Sequence, residues 1–332
     1  MSVVIVAPGQ GSQTPGFLEP WLAVPRFAKH LGALSEAAGL DLAAHGTVSD
    51  ADTIRDTAVA QPLIVAASLM ALAAVLDEGS GSAWKSKTAG IAGHSVGEVA
   101  AAAGAGILSE HDAMVLVSAR GRAMAAAAAQ VATGMSAVIG GDQDELLAKL
   151  ETLGLQPANF NGGGQIVVAG ELPALASLQA DPPAGARVIP LQVAGAFHTR
   201  YMQPAVETLR TVAAGLEVSD PSWTIWTNRD GSIVSGGAAF VDLLVGQVAS
   251  PVRWDLDMEA FAAAGVTGLI ELAPAGALVG LAKRGLKGLP TVAVKTPDDI
   301  AAAHELLDAV QDSDLEAADD AANEAEDNGA RE

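Results

Sequence analysis

Gly93-His94-Ser95-Val96-Gly97 carries the sharpest chemical signal in the chain, a G-x-S-x-G run between the short apolar stretch Thr88–Gly93 and the alanine-rich stretch Val96–Ala105. A serine on a tight strand-to-helix turn is exposed for attack on a carbonyl, and glycine on either side removes side chains that would clash there. The helix that follows aims main-chain N–H groups at the oxyanion such an attack creates. A serine that merely caps the helix fits the same five residues, so the pattern alone leaves both readings open.

A serine hydroxyl needs a base, and the chain has six histidines. His30, His45 and His304 stand in polar segments and read as surface residues. His111 falls in the first turn of an expected helix, where its positive form is disfavoured. His94 precedes the serine and is placed to wall a pocket. His198 lies in Gly195-Ala196-Phe197-His198-Thr199, a small-residue turn at an expected domain junction, from which a side chain can overhang a shared cleft. Spacing makes His198 a candidate without settling the base. Gln10 follows a strand end in the glycine-rich turn Pro8–Ser12, where backbone can approach a ligand closely or simply turn.

Other chemistries fall away. The chain has no cysteine, which excludes disulfides, thiol nucleophiles and cysteine-ligated metals. G-x-G occurs at Gly9/Gly11, Gly79/Gly81 and Gly104/Gly106, but Thr14, Trp84 or Ser109 stands at the third dinucleotide position. Gly11 to Gly16 has P-loop spacing but is followed by Phe17, and no H-E-x-x-H spacing exists. On an expected helix from Ser109 to Ala128, Arg120 shares a face with Ala113, Leu116, Val117 and Met124, whereas Arg122 falls with Ser118 and His111. An arginine on an inward face needs an anion, supplied by the protein or by a substrate.

The elements that must hold these residues alternate. Strands are expected at Val3–Ala7, Thr88–Gly93, Trp223–Thr227, Val266–Leu272 and Thr291–Val294. Helices are expected at Pro62–Leu76, with Pro62 in the first turn, at Val96–Ala105, and from a capping box at Ser109 to Ala128. Such alternation predicts an α/β fold, a parallel sheet covered on both faces. The middle departs from it: strand Met135–Gly140, helix Gln143–Leu153, strands Pro157–Phe160 and Gln165–Ala169, helix Pro173–Gln179 and strand Arg187–Val193. That βαββαβ order predicts a small ferredoxin-like domain at 129–197, inserted into a large α/β-hydrolase-like catalytic domain of residues 1–128 and 198–311.

The 332 residues carry a net charge of −21, and residues 312–332 hold nine acids against Arg331. This segment reads as a solvated, disordered tail. The remainder is still acidic, which disfavours nucleic acid as a partner. No uninterrupted apolar run reaches the roughly 18 residues of a membrane span, and the N-terminus lacks a basic n-region. No membrane association, a cytoplasmic location and a monomer are the expectations.

Six segments together, in order, make a resemblance: Pro8-Gly9-Gln10-Gly11-Ser12-Gln13; Gly93-His94-Ser95-Val96-Gly97-Glu98; Arg120; Asn159-Phe160-Asn161; Gly195-Ala196-Phe197-His198; and Gln247 before Ser250-Pro251-Val252-Arg253-Trp254. Over about residues 3–295 the chain resembles bacterial malonyl-CoA:acyl carrier protein transacylases and the related acyltransferase domains of polyketide synthases. The resemblance implies a Ser95–His198 dyad with the main-chain carbonyl of Gln247 orienting His198, and an oxyanion hole made by the N–H groups of Val96 and Gln10. It assigns Arg120 to the free carboxylate of a malonyl group. Phe197 beside the base goes with malonyl over methylmalonyl, and His94, Asn159, Asn161, Gln61 and Asn228 would line the pocket.

The implied activity moves malonyl from malonyl-CoA to the phosphopantetheine thiol of acyl carrier protein. Transfer would be ping-pong, through a malonyl-Ser95 ester, and would feed fatty acid or polyketide synthesis. No metal or cofactor is implied beyond the coenzyme A and phosphopantetheine that the substrates carry. A serine hydrolase or thioesterase using the same dyad is the alternative. Acyl carrier proteins are acidic, so docking on this acidic chain calls for a local basic patch. Lys283, Arg284 and Lys287, at i, i+1 and i+4 on an expected helix, form the best cluster.

Overall fold

The computed structural model describes residues 2–77 and 87–309. The acidic stretch 312–332 lies outside the described residues. The strands are β1 (Ser2–Ala7), β2 (Thr88–Gly93), β3 (Thr133–Gly140), β4 (Gln156–Gly162), β5 (Gln165–Glu171), β6 (Ala186–Pro190), β7 (Val266–Glu271) and β8 (Thr291–Ala293). They form two sheets, ordered β2-β1-β7-β8 and β4-β5-β3-β6.

The first sheet is parallel throughout. Its apolar strands are buried on both faces, as parallel strands require. In β1, Val3, Ile5 and Ala7 join a core with Leu63, Leu116 and Val117, while Val4 and Val6 join a second core with Trp254, Phe261, Leu269 and Leu278. The period-2 alternation of a strand therefore serves two helical layers at once. The expected strand at Trp223–Thr227 is reduced to isolated bridges: Ile225 pairs with Ile91 beside β2, and Trp226 with Ile233.

The second sheet is antiparallel, and the order along the chain is β3, helix Gln143–Leu153, β4, β5, helix Leu172–Ala180, β6. Val138, Ile166, Val168 and Val188 pack against Leu146, Leu150, Leu175 and Leu178 of the two helices. Met135, Ala137 and Val167 point the other way, into the cavity described below. The last strand stops at Pro190, short of the expected Val193: the Leu191 N–H still donates to Met135 O, but the Val193 N–H turns back to Leu191 O.

Several helices differ from expectation. The Pro62–Leu76 helix begins five residues earlier, at Thr57, and runs to Asp77 with Pro62 inside it. By length and apolarity Thr57–Leu76 is sufficient to cross a membrane, contrary to the count of uninterrupted apolar residues; it is mostly buried in this fold. A helix apolar on all sides is a core helix when other elements surround it. Ser109 caps Glu110–Ala128 by accepting from the Asp112 N–H, the first half of the expected capping box. On that helix Arg122 and His111 are exposed as expected, but Ser118 is buried, because packing covers more than the apolar stripe.

Packing is very tight at the serine turn. A Cβ on Gly97 would lie 2.1 Å from the Ala7 carbonyl oxygen, whereas one on Gly32, exposed within helix Pro25–Ala38, would meet nothing within 4 Å. Gly97→Ala is expected to lower stability by about 1–3 kcal/mol through overpacking. Gly32→Ala is expected to raise it by about 0.5–1 kcal/mol through helix propensity. Thermal unfolding of both variants checks this; a shift of the same sign in the two would contradict it.

Candidate active site

Ser95 sits between the end of β2 and helix Gly97–Gly104 with φ of 55°, the left-handed region. The turn is held open by what is missing: a Cβ on Gly93 would fall 2.0 Å from the Gly97 carbonyl carbon. The His94 N–H donates to Ala7 O at 2.9 Å, tying the turn to the end of β1. The Ser95 N–H donates to Asn228 Oδ1 at 2.7 Å. Among the described residues, the N–H groups of Val96 and Gln10 donate to no protein acceptor. Both residues line the same cavity as Ser95.

His198, also at positive φ, brings Nε2 to 2.6 Å from Ser95 Oγ. Its Nδ1 lies 2.9 Å from the main-chain carbonyl oxygen of Gln247, an acceptor that places the proton on Nδ1 and leaves Nε2 free to accept from the serine. Burial, reinforced by the nearby Arg120 charge, drives the imidazole pKa down to about 3. His198 is therefore neutral at pH 7, the form that can take a proton.

Arg120 reaches the same hydroxyl from the Glu110–Ala128 helix: Nη2 is 3.4 Å from Ser95 Oγ and 2.7 Å from Gln247 Oε1, and Nη1 is 2.8 Å from Gln61 Oε1. Burial lowers its pKa to about 10, opposed by Glu98, so it stays charged at neutrality. No carboxylate of the described residues comes within ion-pair distance of it. The nearest negative group in the hydrogen-bond network is Glu98, whose Oε2 accepts from Gln247 Nε2. Among the described residues the guanidinium Nε has no partner.

Ser95 and His198 open on a cavity of about 520 Å³ lined also by Gln10, Gln61, His94, Val96, Asn159, Asn161, Phe197 and Arg284, with the Gly276–Leu281 stretch as one wall; Arg120 and Gln247 are buried and outside that lining. That wall belongs to helix Ala277–Gly285, whose start is pinned by the buried Glu271 carboxylate accepting from the Gly276, Leu278 and Val279 N–H groups, each at 2.9 Å. His94 is half-buried, its Nε2 3.0 Å from Asn161 Oδ1, and burial lowers its pKa.

Asn228 corrects the expectation of a pocket residue. It is fully buried behind the serine turn, bonding Ser95 N, Gly93 O and Asp257 Oδ2, and it braces the turn without lining the cavity. Lys283 and Arg284 are exposed on the last turn of Ala277–Gly285, but Lys287 lies beyond the helix end, in the turn at 286–288.

Three buried acids escaped the sequence reading: Glu271, whose pKa burial raises; Glu98, pushed up to about 7 by burial; and Asp257, raised well above the usual carboxylate range by burial and by Glu98. Glu98 carried a usable signal, an ionisable residue inside an apolar helix, the same signal that marked Arg120. Asp257 is flanked by Asp255 and Glu259 and reads as surface.

Residues 4–312 match the family described as acyl transferase domain. The chain is 50% identical over 298 residues to the malonyl CoA-acyl carrier protein transacylase of Mycobacterium tuberculosis, covering 90% of this chain and 98% of that relative. It is 36% identical over 308 residues to the Escherichia coli protein of the same name, covering 91% and 98%. Among solved structures, MCAT from Mycobacterium tuberculosis matches with a TM-score of 0.87 at 49% identity, covering 91% of this chain and 99% of that one. A malonyl-transacylase solved in complex with a type II PKS acyl-carrier protein matches at 0.85 and 31% identity, covering 92% and 99%. With the match spanning residues 4–312, the serine site included, the chain belongs to the acyl transferase domain family.

Proposed function

We propose that this protein transfers malonyl from malonyl-CoA to the phosphopantetheine thiol of acyl carrier protein. The observation that carries the reading is one hydroxyl, Ser95 Oγ, met by a neutral imidazole at 2.6 Å and a guanidinium at 3.4 Å. A base and a fixed positive charge at the same nucleophile suit an acyl group that itself bears a carboxylate. The relatives whose names describe this activity support it.

Ser95 Oγ attacks the thioester carbonyl while His198 Nε2 takes its proton. The N–H groups of Val96 and Gln10 hold the oxyanion. Collapse breaks the C–S bond, the imidazolium returns its proton to the coenzyme A thiolate, and a malonyl-Ser95 ester remains. The carrier thiol, deprotonated by His198, then attacks that ester and regenerates the serine, so the kinetics are ping-pong. Arg120 pairs in a planar fork with the malonyl carboxylate, an arrangement lysine does not reproduce. Phe197, buried against the base, crowds an α-methyl group. Asn159, Asn161, Gln61 and His94 form polar walls, and no step calls for a metal or organic cofactor. We read the parallel sheet with its serine turn as hydrolase-like and the antiparallel sheet with its two helices as ferredoxin-like. On this reading the protein works as a cytoplasmic monomer, and Lys283, Arg284 and Lys287 form a basic rim for the acidic carrier.

Incubation with labelled malonyl-CoA tests the reaction. Label on the wild-type protein, chased onto added carrier, is expected, with none on Ser95→Ala. Prompt free malonate without carrier would indicate a hydrolase, and stable labelling of Ser95→Ala would remove the nucleophile.

Arg120→Ala is expected to cost about 2–5 kcal/mol in kcat/KM for malonyl-CoA, from leaving one member of a charge pair unmatched. Acetyl-CoA should lose much less; equal losses would make Arg120 a structural residue. Lys283→Glu with Lys287→Glu is expected to raise KM for carrier protein by roughly 3–10-fold and to spare that for malonyl-CoA. A parallel rise for both substrates would place docking elsewhere.

A further inference from the structure

Glu98 takes no part in the steps above, yet it is one of the most completely buried charges in the molecule, 1% exposed. It lies on the helix that starts at Gly97, among buried Val99, Ala100, Ala101 and Ala102. A carboxyl group there is costly unless its oxygens are matched. Both are: Oε1 accepts from the Asn228 N–H at 2.8 Å, and Oε2 accepts from Gln247 Nε2. Gln247 passes the contact on, because its Oε1 accepts from Arg120 Nη2 at 2.7 Å.

Both Glu98 oxygens face N–H donors, so the carboxyl serves here as an acceptor, and a guanidinium can only donate. An amide between the two has a single satisfied orientation, nitrogen toward Glu98 and oxygen toward Arg120. The same Nε2 donates to Ser95 O at 3.0 Å, and the main-chain carbonyl of the same residue holds His198 Nδ1 at 2.9 Å. We propose that Glu98 is a positioning residue for substrate selection: as the acceptor closing the chain Glu98–Gln247–Arg120, it fixes the Gln247 amide and through it the guanidinium fork that meets the malonyl carboxylate. An acyl group without a carboxylate makes no use of that fork, so discrimination between acyl groups is the property Glu98 controls.

The inference rests on the malonyl-transfer reading, and one assay separates the two. Steady-state transfer to carrier protein from malonyl-CoA and from acetyl-CoA is measured for the wild type, Glu98→Gln and Glu98→Asp, with thermal unfolding of each. In Glu98→Gln the Asn228 N–H claims the new amide oxygen, the new NH2 faces Gln247, and Gln247 must turn its own NH2 toward Arg120. The malonyl-to-acetyl ratio of kcat/KM is expected to fall by roughly tenfold or more, chiefly through KM for malonyl-CoA. Glu98→Asp, which packs worse but still only accepts, is expected to keep more of the ratio than the isosteric amide does. A wild-type ratio in Glu98→Gln, an equal loss on both acyl-CoAs, or a larger loss of ratio in Glu98→Asp would overturn the inference. Failure of both variants to fold would also overturn it, by making Glu98 a core residue only. A wild type with no preference for malonyl would instead overturn the functional reading.

Discussion

The contact between Gly97 and the Ala7 carbonyl is the constraint on which the site's geometry depends. Strands β1 and β2 run in parallel register with Ala7 opposite Gly93, so the turns that follow them emerge side by side at one sheet edge. One turn carries Gln10 and the other Ser95 and Val96, and their donors face a common cavity because their strands are neighbours. Had either glycine a side chain, helix Gly97–Gly104 would retreat from the sheet and take the Val96 N–H with it. The positive φ of Ser95 belongs to the same bargain of space: a non-glycine residue is held in the left-handed region because both ends of its turn are clamped.

Around that turn the protein holds three ionisable groups almost out of water in different protonation states. His198 is neutral, Arg120 is charged, and Glu98 has its carboxyl raised to near neutrality. Desolvation is the largest influence on each, and it disfavours the charged form in every case. What separates them is hydrogen bonding. His198 receives one carbonyl acceptor, which suits a neutral ring, while Arg120 receives two amide oxygens and the long-range charge of Glu98. Removing a single partner from such a network strands a buried polar group, so its members stand or fall together.

Much of this was legible in the residues. The serine turn could be read because its glycines and its strand–helix context are local. The strands β2 and β7 and the helices Gln143–Leu153 and Glu110–Ala128 followed from periodicity that tertiary packing did not override. Arg120 stood out as a charge on an apolar stripe. What escaped was long-range. Thr57–Val59 joins its helix because Gly121 lets the Glu110–Ala128 helix pack within reach of the Thr57 carbonyl, a contact no window of sequence displays. Trp223–Thr227 has strand composition but pairs only at single residues. Only the family resemblance puts Asn228 in the pocket; its position behind the turn is set by Asp257 and Glu98, distant in the chain.

The two sheets contribute unequally to the cavity. Ser95 follows a strand of the parallel sheet and Arg120 comes from a helix packed on the helix after Ser95, while His198 and Gln247 come from the chain that follows the antiparallel sheet. The antiparallel sheet supplies Met135, Ala137, Asn159, Asn161 and Val167, none of them within hydrogen-bond reach of the serine hydroxyl. Because a strand turns alternate residues to opposite faces, Met135 and Ala137 can wall the cavity while Val138 fills the sheet's own core. A slip of one residue in the β3–β5 register would exchange those roles and put wall residues into the core. The antiparallel sheet's own hydrophobic core therefore does more than stabilise it: by locking register, that core keeps the wall of the cavity in place beside a serine whose hydrogen bonds all come from elsewhere.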